Sequence, residues 1–174
     1  GMPFKVNEIR TIANKYQIPI LEDSAEALGS TYNDQKCGTF GDIGILSFNG
    51  NKIITTSGGG ALVTNSKGIK EKAVFLATQA RDNAPYYQHS EIGYNYRLSN
   101  ISAGIGRGQM QVLEKHIGYR RAMHQFYLDY FERIDGVSVF HEPNDSIYSN
   151  HWLSCIVLNI SVLGKTAEDL RLAL

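Results

Sequence analysis

The chain has 174 residues, 43% of them hydrophobic, 20% charged and 10% aromatic, and its 17 basic side chains balance 17 acidic ones. That is the profile of one soluble globular domain, or one and a fraction, with length enough for a sizeable core. Zero net charge and the lack of a Lys/Arg-rich run exclude a nucleic-acid binder working through electrostatics, and no apolar run is long enough to cross a bilayer. Cys37 and Cys155 lie too far apart for a zinc spacing or a disulfide framework, and they read as buried free thiols suited to a reducing cytoplasm. The five histidines show no ligand spacing either, so no metal is expected.

In chain order, Ile9, Ile12, Ala13 and Tyr16 fall at i, i+3, i+4 and i+7, the pattern of a helix buried on one face. Ile18-Pro19-Ile20-Leu21 reads as a short buried strand that delivers Asp23 to its carboxyl end, the edge where ligands gather in open α/β sheets. Further strands are predicted at Ile43 to Phe48, Ile53 to Thr56 and Ala61 to Thr64, the last two separated by Ser57 and Gly58 to Gly60. Ser66 is placed to cap a helix reaching about Ala80, with Ile69, Ala73 and Leu76 inward. Arg81 to Leu98 has no usable period, and so long a loop in a compact domain is usually functional. Helical spacing returns from Ser99 to about Ile134, with no proline, and predicts one long helix bent at Gly118. A strand pair, Val137 to Phe140 with Trp152 to Leu158, and a helix starting at Thr166 complete the chain. That last helix is cut at Leu174, and both ends of the chain lead us to expect a piece of a longer protein.

Lys52 is the residue with the clearest chemical promise. It stands alone between two predicted strands and upstream of a glycine-rich turn, and an amine held there and partly desolvated can form a Schiff base with an aldehyde. Taken alone it reads more readily as a solvated lysine at a loop tip, since most lysines are solvated. The glycines 58 to 60 lack a following Lys-Ser or Lys-Thr pair, so they are better explained as tight-turn residues than as a phosphate loop.

The company that Lys52 keeps is more specific. Glu22-Asp23-Ser24-Ala25-Glu26-Ala27-Leu28-Gly29-Ser30, Gly38-Thr39-Phe40-Gly41-Asp42, Ser47-Phe48 with Lys52, and Gly58-Gly59-Gly60 follow one another in order. Gly93-Tyr94-Asn95-Tyr96-Arg97-Leu98-Ser99-Asn100 and Gln109-Met110 continue the series. Together these resemble the core of the DegT/DnrJ/EryC1/StrS family of pyridoxal-phosphate-dependent sugar aminotransferases, across essentially the whole chain. The resemblance implies an α/β chain forming part of the aspartate aminotransferase-like fold, a mixed sheet flanked by helices. Residues 1–98 would be the second half of the large cofactor domain, 99–135 a long connecting helix, and 136–174 the start of a small α+β C-terminal domain.

It also implies roles. Lys52 would carry pyridoxal phosphate and move the proton in catalysis. Asp23 would pair with the ring nitrogen, Ser47 would bind the phosphate, and Asn95 would reach the phosphate of a neighbouring subunit in a homodimer. Glu26 matches a family position near the ring hydroxyl, where a carboxylate needs a proton or a donor in between. His89 could approach substrate, and Arg97 either faces substrate or braces its loop. The expected reaction is amino transfer from glutamate to a 4-keto-6-deoxy nucleotide sugar, UDP-linked by the likeness of the stretch from 76–81 through 107–110, in cytoplasmic glycan biosynthesis. An internal fragment of such an enzyme should show little or no activity alone. Two alternatives stay open here: a different pyridoxal enzyme of this fold, and a non-catalytic truncated or assembly module.

Overall fold

A computed structural model describes all 174 residues. Helix α1 (Val6–Tyr16) is closed by Gln17 in the left-handed region, φ 54°, where the cap N–H groups satisfy the carbonyls of Ala13 and Asn14. It buries Val6 and Ala13, whereas Ile9, Ile12 and Tyr16 are exposed by 42%, 55% and 62%. The periodicity therefore located the helix, but most of the apolar stripe it marked faces outward.

Strand β1 (Leu21–Asp23) begins later than predicted and ends on Asp23, as expected. It pairs in parallel with β4 (Ile43–Ser47), which pairs antiparallel with β5 (Gly60–Val63), giving a mixed sheet in the order β1-β4-β5. Gly44, opposite Glu22, has the Gly38 carbonyl against its Cα, and a Cβ there would overlap it. Between β1 and β4, β2 (Thr31–Tyr32) and β3 (Gln35–Lys36) form a small hairpin. The predicted strand at Ile53 to Thr56 is absent. Thr56 N–H and the Thr55 hydroxyl both donate to the Phe48 carbonyl, at 2.9 and 3.2 Å, so the segment closes on itself as a loop instead of joining a ladder.

Helix α2 (Lys67–Ala77) is capped by Ser66 Oγ, which accepts from Ile69 N–H, and Ile69, Ala73 and Leu76 are half-buried. In place of one long helix bent at Gly118 there are two, α3 (Asn100–Met110) and α4 (Leu113–Phe131). The break lies at Gln111 and Val112, which donate to carbonyls three residues back, while Gly118 sits undisturbed inside α4. Three glycines weaken α3, and restarting the helix at Leu113 seats Leu113 and Ile117 in the core.

Strand β6 (Val137–Val139) pairs antiparallel with β8 (Ile156–Leu158), a shorter span than predicted. The intervening β7 (Ile147–Tyr148) joins the other edge of β2, pairing Thr31 with Tyr148, a contact no local pattern announces. Short α5 (Ile160–Leu163) and α6 (Ala167–Ala173) follow, the latter with a capping box from Thr166 and Asp169. No helix is long and apolar enough to cross a membrane.

The core is smaller than the length suggests, since only 24 of 174 residues are buried. One cluster gathers Ile53, Ile54, Leu113, Ile117 and Trp152, the other Val6, Ala27, Cys37 and Phe40. Cys37 is buried as expected, and burial above all pushes its thiol up to about 12. Cys155 is exposed, because the inward-outward alternation that runs through it into β8 puts it on the same outward face as Val157.

Candidate active site

Three segments distant in sequence converge on Lys52. The first is the turn after β1. Ser24 N–H reaches the Ile45 carbonyl at 3.0 Å, extending the β1-β4 pairing one step past Asp23. Buried Glu22 fixes this turn: its carboxylate accepts from Ser24 Oγ at 2.7 Å and from the N–H groups of Gly38 and Phe40 at 2.6 and 2.9 Å. Glu22 is thus structural, satisfied on all sides, and the Gly38-Thr39-Phe40 motif serves as its backbone cradle.

The second segment is the β4-β5 connection. Lys52 N–H closes a turn onto the Asn49 carbonyl at 3.1 Å, and the next two residues, Ile53 and Ile54, are 8% and 1% exposed in the core against α4. Burying these two side chains pins the lysine that precedes them. Lys52 therefore lies within the loop that joins β4 to β5, not directly before a strand at Ile53, and the burial of Ile53 and Ile54 holds it. The Gly58 to Gly60 turn behaves as predicted: Gly59 takes φ 85° and its carbonyl accepts from Phe48 N–H at 3.0 Å.

The third segment is 149–152. Asn150 is fully buried; its side-chain amide donates to the carbonyls of Glu26 and Leu28 at 2.9 and 3.0 Å. Its Oδ1 accepts from Trp152 N–H at 2.9 Å, and Trp152 Nε1 donates to the Asn51 carbonyl at 2.7 Å. The strand predicted from Trp152 onward thus gives way to a clamp across the two loops.

Among the predicted site residues, Lys52 and Glu26 are in contact, Nζ to Oε1 at 2.9 Å, with the lysine side chain only 12% exposed. Asp23 and Ser47 lie on adjacent parallel strands at the same sheet edge, Ser47 two residues beyond Asp23's partner Ile45. Asp23 Oδ1 accepts from Ala25 N–H at 3.1 Å, and the half-buried Ser47 Oγ takes only a long contact, 3.5 Å, from Asn49 N–H. Asn95, Arg97 and His89 are in the strap from Arg81 to Leu98. Asn95 forms an isolated bridge with Thr78. Arg97 lines a cleft of about 710 Å³ between this strap and the glycine turn, whereas Lys52 borders a separate cleft of about 450 Å³ with Gln109, His116 and Arg120. His89 is exposed and bonds to the Gln79 carbonyl at 2.8 Å. None of these three lines the cleft beside Lys52.

The sequence reading missed Asn150 and Trp152, whose only signal was an Asn-His-Trp run holding the sole tryptophan. It also missed a polar bolt between α4 and the following segment. His124 and His151 stack at 3.5 Å, and Glu142 accepts from His151 Nε2 at 3.0 Å and from Arg121 at 2.7 Å. One donor atom from each of His124, Glu142 and His151 falls within 4.8 Å, which no sequence spacing revealed. Burial lowers both imidazoles; it would raise Glu142, but Arg121 and the neighbouring N–H groups outweigh it and hold the carboxyl at about 2.

The sequence model of the DegT/DnrJ/EryC1/StrS aminotransferase family matches residues 1–170. The chain belongs to that family. EpsN of Bacillus subtilis (strain 168), assigned as a pyridoxal phosphate-dependent aminotransferase, is 49% identical over 97% of this chain and 45% of its own length. The GDP-perosamine synthase of Escherichia coli O157:H7 is 34% identical over 97% of this chain and 44% of its own length. Helicobacter pylori PseC, an aminotransferase involved in the biosynthesis of pseudoaminic acid, superimposes with a TM-score of 0.88 at 25% identity, over 98% of this chain and 46% of PseC. The fold is therefore that of the sugar aminotransferases, and the chain spans about half the length of the relatives it matches.

Proposed function

We propose that this chain carries the lysine-bearing part of a pyridoxal-phosphate-dependent aminotransferase site acting on nucleotide sugars. The observation that carries the reading is the Lys52 amine, 12% exposed, on a loop pinned by the core and ion-paired with Glu26 at 2.9 Å. The donor set suits the cofactor. Asp23 is a carboxylate with one oxygen engaged by the backbone and the other open at the sheet edge, and Ser47 offers a weakly engaged hydroxyl on the neighbouring strand. Lys52 would hold the aldehyde carbon, Asp23 the ring nitrogen, Ser47 the phosphate, and Glu26 would lie beside the ring hydroxyl. Asn95, which does not line the cleft beside Lys52, would serve the phosphate of a second subunit, making the functional unit a homodimer.

When bound, pyridoxal phosphate supplies an electron-withdrawing ring that stabilises charge on a carbon losing its proton. The protein's part is to place Lys52 Nζ where it takes and returns that proton, with Glu26 as counter-ion whenever the amine is protonated. Glutamate is the proposed amino donor and a UDP-linked 4-keto-6-deoxy sugar the acceptor, with His89 and Arg97 on the substrate side, in cytoplasmic glycan biosynthesis. Residues 1–98, 99–135 and 136–174 would be the cofactor-domain part, the connecting helical part and the start of the small domain.

The test is cofactor capture. The chain is incubated with pyridoxal phosphate, reduced with borohydride and mapped by peptide mass spectrometry, with Lys52→Ala as control. A single adduct on Lys52 is expected. Adducts spread over surface lysines and unchanged in Lys52→Ala would refute the assignment and favour an assembly module without cofactor. This chain alone should show little or no turnover, so amino transfer to UDP- and GDP-linked 4-keto sugars, assayed side by side with glutamate on a chain extended to the length of its relatives, decides the nucleotide.

A further inference from the structure

We propose that Trp152 is a positioning residue for Lys52, acting through the face of its indole and through its ring N–H. The inference rests on Lys52 being the reactive amine. Nζ lies 4.7 Å from the Trp152 ring centroid, within reach of a cation–π attraction, and the indole is 8% exposed, so little water competes. The same ring donates through Nε1 to the Asn51 carbonyl, 2.7 Å away, one residue before the lysine. One side chain therefore holds both the backbone that carries Lys52 and the amine at its tip.

The position of the ring is itself fixed. Trp152 N–H donates to Asn150 Oδ1, while the Asn150 amide also donates to the Glu26 and Leu28 carbonyls and the Asn150 backbone N–H donates to the Ser30 hydroxyl, 2.9 Å away. Lys52 Nζ is thus confined between a carboxylate and an indole face. Glu26 at 2.9 Å supplies the opposite charge, and the ring face attracts the cation through its quadrupole. Further charges near this point are the Gly1 ammonium, which burial shifts downward, and Arg120, which lines the same cleft as Lys52. For an amine that must take up a proton and return it to one place, this confinement fixes where the proton sits.

The test reads the amine without cofactor. Trace reductive methylation with formaldehyde and cyanoborohydride is quantified at Lys52 relative to Lys67, whose side chain is 88% exposed. Trp152→Leu should raise relative labelling of Lys52 by about five- to thirtyfold, the range a largely desolvated cation–π contact implies. Trp152→Phe keeps a smaller ring face and loses the N–H, and should stay within about threefold of the parent. Lys72, paired with Glu91, reports whether the rest of the fold is kept and should not change. A second readout needs no change at Trp152: it is the only tryptophan, so Lys52→Gln should alter its emission while Lys67→Gln should not. Equal labelling in the parent and the Leu variant, equal gains in the Leu and Phe variants, or emission indifferent to Lys52→Gln would overturn the proposal. Cofactor capture failing at Lys52 in the parent would refute the proposed function instead, leaving labelling and emission to decide the role of Trp152.

Discussion

Replacing Asn150 by alanine tests whether the 149–152 segment clamps the site. Asn150 is fully buried, and its side chain makes three hydrogen bonds to backbone: to the carbonyls of Glu26 and Leu28, and from the N–H of Trp152. Alanine removes all three and leaves each partner without a substitute. At about 1 kcal/mol per bond the loss is about 3 kcal/mol, and it rises where a stranded group stays dry. That is a large share of a total stability of about 5–15 kcal/mol. In urea, with a slope of about 2 kcal/mol per molar, the unfolding midpoint should fall by about 1.5 M. Asn150→Asp is the informative companion. It retains the acceptor for Trp152 but turns a carboxylate toward two carbonyl oxygens, so it should be at least as destabilising at neutral pH and should recover in part on acidification, when a proton restores one donor. A midpoint shift for Asn150→Ala worth less than about 0.5 kcal/mol would refute the clamp, because three buried bonds cannot be removed so cheaply.

Two further outcomes follow from the polar bolt and the thiols. Burial lowers the pKa of both His124 and His151 from 6.5, so the unfolded chain binds protons that the folded chain refuses; stability should be full above about pH 6.5 and decline as acid passes below it. Glu142, held at about 2 instead of 4.5, adds a separate loss as pH falls from 4.5 towards 2. Thermal midpoints measured across this range should show both declines, and His124→Phe should flatten the first; a profile unaltered by that substitution would contradict the assignment. For the cysteines, iodoacetamide should modify exposed Cys155 in the native protein and Cys37 only in denaturant, since Cys37 is 5% exposed with its thiol pushed up to about 12. Equal native rates, read by peptide mass spectrometry, would show the second core cluster to be open.

The sequence by itself determined the features that depend on neighbours along the chain. Ser66 and Thr166 mark their helices because a cap needs only a hydroxyl and an N–H three residues on, and both caps form. Asp23 ends its strand, Gly59 makes its left-handed turn, and the ordered motifs around Lys52 were enough to identify the family, since short-range chemistry leaves a short-range record. What only the tertiary structure decided are contacts between residues far apart. Ile53 to Thr56 has the composition of a strand, but core burial of Ile53 and Ile54 and the Phe48 carbonyl make it a loop. The helix after Ser99 breaks at Gln111 and Val112, because seating Leu113 and Ile117 under that loop outweighs helical continuity. The stripe Ile9, Ile12 and Tyr16 looked like a core face and is exposed, since periodicity states which side of a helix is apolar and not what covers it. Asn150 and Trp152 reach Glu26 and Asn51 across 124 and 101 residues, and His124 meets His151 by stacking. Such pairings are set by how the chain returns upon itself, a long-range packing energy that no local spacing records.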